Sequence, residues 1–277
     1  MYAKGSDMAI YPLDATREPG SRMPVFFVGH GSPEFTLGEN EFNTIWRKLG
    51  QEIPRPSLIL CISAHWVIQE GNAVTAMRQP KTIHDFYGFP RDLYEIEYTA
   101  PGSPEFAHQI QNIVRSVPVD LDYEWGLDHG TWSVLRHMYP DATIPVVQLS
   151  LNYNQPLDLC FRIGQELGEL RDQGVLIVGS GNLVHNLMML RNGAQPYPWA
   201  VEFDGLVKKN ISDGNSDWFV HYTRSTIARI AHPTNEHLLP LLYVLGAAGK
   251  DAPHFLTEMI FGGSVSMRSV AFGTDVT

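Results

Sequence analysis

The chain has 277 residues, 44% of them apolar and 18% charged, which excludes general disorder and allows a sizeable core. Against 30 Asp and Glu stand 20 Lys and Arg, a formal net charge of −10, which argues against nucleic acid or an anionic membrane as the main partner. Two cysteines are too few for a Cys-built zinc or iron–sulfur centre, so any metal would be held by the 11 histidines, with or without carboxylates.

Residues 1–22 lack the apolar segment of a signal peptide and carry Asp7, Pro12, Asp14, Glu18 and Pro19. They are read as an N-terminal extension before one domain at 23–277. Residues 24–28 predict a buried strand, followed by the turn Gly29, His30, Gly31, Ser32, Pro33. Phe42, Ile45, Trp46 and Leu49, at spacings of three and four, predict a helix over 39–49. Residues 57–63 predict a second buried strand, and Ala64, His65 and Trp66 follow it. Cys61 in that strand and Cys160 both sit among apolar residues, as buried thiols of a reducing compartment do.

The stretch 69–101 is irregular and rich in Pro, Tyr and Phe, which marks a functional loop. A helix is predicted over 103–117, with Ser103 as cap and Pro104 in the first turn. A short helix at 131–138, a strand at 143–149, a helix at 156–172 and a fourth buried strand at 175–179 come next. Helices are then predicted at 199–210 and 235–245, and a last strand at 265–272. The longest apolar run, 238–249, falls short of the roughly 20 residues that span a bilayer, so a cytoplasmic protein is expected. The alternation of strand and helix predicts an α/β fold: one domain, a central, largely parallel or mixed sheet flanked by helices, and an active site at the carboxyl ends of the strands.

Three predicted strands deliver a histidine to that rim: His30, His65 and, through Ser-Gly-Asn-Leu-Val, His185. Neutral imidazole is the commonest metal-binding side chain, so three on one edge point to a metal site. A fourth candidate, His237, opens an apolar helix beside Glu236. Thr234 or Asn235 could cap that helix, with Glu236 favourable at its positive end. Because two His and one carboxylate form the usual non-haem Fe(II) face, Glu236 and His237 both stand as ligands at this point. His129, beside Asp128 and between glycine-flanked turns, suits proton transfer near pH 7. The bland alternative is Asp128 as a helix cap and His129 exposed. His84, in the irregular loop, is a pocket wall or ordinary loop packing. His108, His137, His221, His232 and His254 lack such contexts. No nucleophile elbow, phosphate loop or dinucleotide fingerprint is present.

At these residues the chain resembles the class III (LigB-type) extradiol ring-cleavage dioxygenases, in their 4,5-DOPA dioxygenase branch. The matching stretches are Gly-His-Gly-Ser-Pro at 29–33, Ser-Ala-His-Trp at 63–66 and Thr-Ile-His-Asp-Phe-Tyr-Gly-Phe-Pro at 82–90. Leu-Asp-His-Gly-Thr-Trp at 127–132, Gly-Ser-Gly-Asn-Leu-Val-His-Asn at 179–186 and Pro-Thr-Asn-Glu-His-Leu-Leu-Pro at 233–240 continue them in family order. The resemblance implies that His30, His65 and His237 hold a divalent metal, with His237 where the broader group has Glu. It implies that His185 acts as acid/base or joins the metal, that His129 stands on the substrate side, and that His84 lines the pocket. Fe(II) is implied for activity, with Zn(II) able to occupy the same site. The implied substrates are a catechol such as DOPA and O2, the product a semialdehyde, and the assembly a monomer or small homo-oligomer. Two other classes use the same residues differently: a zinc-dependent hydrolase on the same His cluster, and a non-catalytic relative acting as an interaction module.

Overall fold

In the computed structural model, which describes residues 22–276, the buried apolar runs become neighbouring strands of one sheet. Its eight strands are β1 (Val25–Gly29), β2 (Leu58–Ile68), β3 (Ala73–Thr75), β4 (Asp120–Asp122), β5 (Val146–Asn152), β6 (Val175–Gly181), β7 (Pro253–Leu256) and, after the small hairpin of β8 (Ile260–Phe261) and β9 (Val265–Ser266), β10 (Ser269–Phe272). The order across the sheet is β4-β3-β5-β2-β6-β1-β10-β7. The centre, β5-β2-β6-β1, is parallel throughout, and antiparallel pairs join β3 to β5, β1 to β10 and β10 to β7.

Side chains alternate along a strand, so a strand buried on both faces must be apolar at every position. Val25, Phe27, Leu58, Leu60, Val175 and Ile177 face one core. Phe26, Val28, Ile59, Cys61, Leu176 and Val178 face the other. The helices are α1 (Glu41–Glu52), α2 (Arg91–Tyr94), α3 (Pro104–Ile113), α4 (His129–Met138), α5 (Leu157–Leu167), α6 (Pro198–Ser212), α7 (Ser216–His221), α8 (Thr226–Ala231) and α9 (Leu239–Ala248). The first core takes residues of α3, α5, α6 and α9, and the second those of α1 and α4. Nearly every side chain of α9 is buried, as an all-apolar helix requires. No helix among the described residues is long and apolar enough to cross a membrane. Both cysteines are free and buried.

Where elements depart from the sequence reading, a specific hydrogen bond or ion pair sits at the boundary. Ser103 caps α3 as expected, accepting the Phe106 N–H, but the helix ends at Ile113. Just beyond it, the Glu166 carboxylate takes the N–H groups of Arg115 and Ser116. The helix expected from 235 begins at Leu239, because Asn235 O accepts the N–H groups of both Leu238 and Leu239 in a preceding turn. The strand expected over 265–272 divides into β9 and β10; at the break, Arg268 forms a buried ion pair with Asp204 at 2.7 Å. Residues 1–21 of the expected N-terminal extension lie outside the described residues.

Candidate metal centre and active site

Three adjacent parallel strands, β2, β6 and β1, end at one rim, and each contributes there. His30 directly follows β1, and its N–H bonds Gly181 O at 3.1 Å. His65 was expected just past the end of β2, but the strand runs on to Ile68. Ile62 pairs with Leu149 and Val67 with Leu151, so six residues of β2 span what three of β5 span. Such a bulge re-aims a side chain, and here it carries His65. Ser63 fixes the bulge: its hydroxyl donates to Asp128 Oδ1 at 2.7 Å, and its Oγ accepts the His65 N–H at 3.2 Å. His237 lies in the turn before α9, and its carbonyl accepts the Asn182 N–H at 2.9 Å.

The ring hydrogen bonds determine which nitrogen is free. Ser180 donates its single hydroxyl proton to Gly130 O at 2.6 Å, so toward His30 Nδ1, 3.0 Å away, it can only accept. His30 therefore carries its proton on Nδ1. The Asp85 carboxylate, 3.1 Å from His65 Nδ1, fixes the same tautomer there. Glu236 Oε1, which also takes the Thr234 hydroxyl at 2.8 Å, lies 3.2 Å from His237 Nδ1. Each ring thus presents Nε2 with its lone pair. The Nε2 atoms of His30 and His65 face each other at 3.0 Å, and two lone pairs at that distance repel unless a cation joins them. Two nitrogens about 2.1 Å from one ion, at a right angle, are about 3.0 Å apart, so the pair fits a metal. His30, His65 and His237 form one group whose ligand atoms lie within 4.8 Å of one another. Of the two candidates left open at 236–237, His237 joins this group, while Glu236 grips its outer nitrogen.

His185 stands apart from His30 and His65. Its ring stacks on His237 with centroids 3.4 Å apart and planes at 10°, in a second group with Glu236. Among the described residues neither of its ring nitrogens has a protein hydrogen bond, whereas its backbone N–H is tied to Ala231 O at 2.9 Å. His129 opens α4 and is buried rather than exposed, although Asp128 does cap that helix, accepting the Thr131 N–H. Its ring lies 3.9 Å from that of His65 and 5.6 Å from that of Phe86. His84 turns away: its Nε2 donates to Ile96 O at 3.0 Å, and Tyr94 and Trp132 surround the ring. His232 is likewise a buried structural donor, to Leu183 O at 2.9 Å.

Burial keeps His30, His129, His185 and His237 neutral, because desolvation penalises the cation. It pushes His30 and His237 well below the ordinary His value, and neighbouring histidines push the same way. Burial, with help from His232, lowers His185 to about 3, and burial with His65 lowers His129. A neutral imidazole offers a lone pair that can bind a cation or accept a hydrogen bond. Asp85, Ser180 and Glu236 as ring-holding partners were not visible in the sequence. The faint signal for Asp85 was its place beside His84 in the irregular loop.

One glycine sets a limit on the site. A Cβ at Gly181 would collide with the His237 carbonyl oxygen. Gly181→Ala is expected to displace the His237 turn, costing about 1–3 kcal/mol of stability and weakening metal binding. Thermal melts with and without metal check this; an unchanged metal affinity would contradict it.

The family described as the catalytic LigB subunit of aromatic ring-opening dioxygenase matches residues 25–273. A 4,5-DOPA dioxygenase extradiol of Escherichia coli K12 is 46% identical over 260 residues, covering 91% of this chain and 96% of the relative. The 4,5-DOPA dioxygenase extradiol of Beta vulgaris is 37% identical over 262 residues, covering 89% and 95%. The crystal structure of an uncharacterized Escherichia coli K12 protein superposes with a TM-score of 0.80 at 43% identity, covering 91% of this chain and all of that one.

Proposed function

The chain belongs to the LigB family of aromatic ring-opening dioxygenases and is an extradiol dioxygenase, and from that premise we propose that it opens the ring of a catechol such as DOPA with O2, using Fe(II) held by His30, His65 and His237. The observation that carries this reading is the convergence of three imidazoles, each with Nδ1 occupied and Nε2 free. When bound, Fe(II) would supply the Lewis acid and redox centre at which catechol oxygens and O2 meet. An all-His ligand set adds no negative charge, so the centre keeps its full attraction for an ionised catechol.

The other residues move protons and exclude water. His185, stacked on His237 with no protein partner on its ring nitrogens, would take a proton from a catechol hydroxyl. His129, with Nδ1–H held by Asp85, presents the Nε2 lone pair, which would take a proton from the substrate and return it later. Phe86 places an apolar wall edge-on to His129. Cleavage beside the diol would give a semialdehyde.

The assignment of His237 over Glu236 separates cleanly. His237→Ala is expected to lose the metal, while Glu236→Gln, which keeps a hydrogen-bonding group beside Nδ1, is expected to weaken binding by about 10- to 100-fold. Metal titration of the two variants checks this, and the reverse order would make Glu236 the ligand. The function itself is tested by oxygen uptake with a catechol panel. Consumption of one O2 per catechol, with a yellow ring-opened product, is expected.

A further inference from the structure

We propose that Asp85 is a positioning residue shared between the metal-binding and proton-transfer halves of the site. Its one carboxylate holds the Nδ1–H of His65 and the Nδ1–H of His129 at the same time. This rests on the reading of His65 as a ligand and His129 as a substrate-side group.

The geometry is specific. Asp85 Oδ2 lies 3.1 Å from His65 Nδ1 and 2.9 Å from His129 Nδ1. Its other oxygen, Oδ1, accepts the backbone N–H of His129 at 2.8 Å. Three donors thus converge on one carboxylate, which has lone pairs for all of them. Among the described residues no Lys or Arg pairs with Asp85, so its charge is directed at the two imidazoles. Burial alone would raise its carboxyl, but the hydrogen bonds from His129 and His65 outweigh that and hold it well below the ordinary carboxylate range.

The loop that carries Asp85 is itself anchored. Ile83 accepts the Trp132 indole N–H at 2.8 Å through its carbonyl and gives its own N–H to Leu127 O at 2.7 Å. On the other side of Asp85, Phe86 packs against His129 and Trp132. The irregular stretch 69–101 therefore delivers one carboxylate to two rings that come from β2 and α4.

Two consequences follow from one contact. On His65, the carboxylate fixes the tautomer that leaves Nε2 as the ligand atom and makes that nitrogen a better donor to a cation. On His129, it fixes the tautomer that turns the Nε2 lone pair toward the substrate, ready to accept a proton. The first effect is read in metal affinity and the second in turnover at full metal occupancy, so the two can be separated.

The test uses Asp85→Asn, alone and with His129→Ala, in the full chain. Affinity is measured by titration with Co(II), whose visible absorption also reports the ligand field, and kcat is measured with saturating Fe(II). Asp85→Asn is expected to weaken Co(II) binding and lower kcat, each by about 10- to 100-fold. In the His129→Ala background the same substitution is expected to weaken Co(II) binding again and to lower the residual kcat by a much smaller factor than it does in the wild-type background. A purely structural role would instead lower kcat equally in both backgrounds, and that result, or an unaltered Co(II) affinity and spectrum in Asp85→Asn, would overturn the proposal. Should Asp85→Asn fail to fold, the wild-type protein loaded with Zn(II) and labelled at His nitrogen gives the answer. Slowly exchanging, downfield Nδ1–H signals from both His65 and His129 support the shared carboxylate, and their absence from either ring refutes it. The Co(II) and NMR measurements need no turnover, so a chain that consumes no O2 with any catechol would sink the dioxygenase reading without deciding this one.

Discussion

His65→Ala and His30→Ala are expected to bind essentially no metal under conditions where the wild-type chain binds one ion. The two Nε2 atoms face each other at 3.0 Å, and removing either ring leaves two imidazoles of the group instead of three. A metal supplies several kcal/mol of charge stabilisation, and each 1.4 kcal/mol is tenfold, so kcat/KM should fall by about 10³-fold or more. The fold should survive, because both rings lie outside the two apolar cores, which are built from other residues. Metal content after dialysis, read beside a circular dichroism melt, checks both halves. Wild-type metal content in either variant would remove that residue from the ligand set.

The second large effect is expected at His185. His185→Ala should retain metal, since its ring stacks on His237 without joining the group of His30 and His65. Its turnover should fall by about 10²- to 10⁴-fold, the range of a positioned acid or base. Loss of metal in parallel with activity would make it a ligand instead. Single-turnover rates on protein of matched iron content distinguish the two outcomes.

Much of this architecture was legible in the sequence because the relevant signals are local. An unbroken apolar strand such as 58–62 has no reading other than burial on both faces, and the glycines and polar residues after it mark the rim. His30, His185 and His237 stand out because each lies within a few residues of such an element, and His65 because it follows the apolar run 58–62. The short edge elements were not legible: β3, β7 and β8 each have four residues or fewer, too few to show a period. Nor was the bulge in β2, whose sequence continues as a plausible strand while its pairing slips.

The partners that orient the rings were hidden for a different reason. Asp85 reaches His65 across 20 positions and His129 across 44, and Ser180 reaches His30 across 150, so no spacing rule connects them. Only the fold brings them together. The neighbouring His84, the more conspicuous residue type, packs into the loop instead.

The most direct test of an Fe(II) ring-opening centre is oxygen uptake by metal-stripped protein reloaded anaerobically with either Fe(II) or Zn(II). L-DOPA, protocatechuate and plain catechol are offered in turn. Uptake is expected only with Fe(II), accompanied by a yellow ring-opened product from at least one of the three. Binding of one metal per chain with no oxygen uptake from any catechol would contradict it.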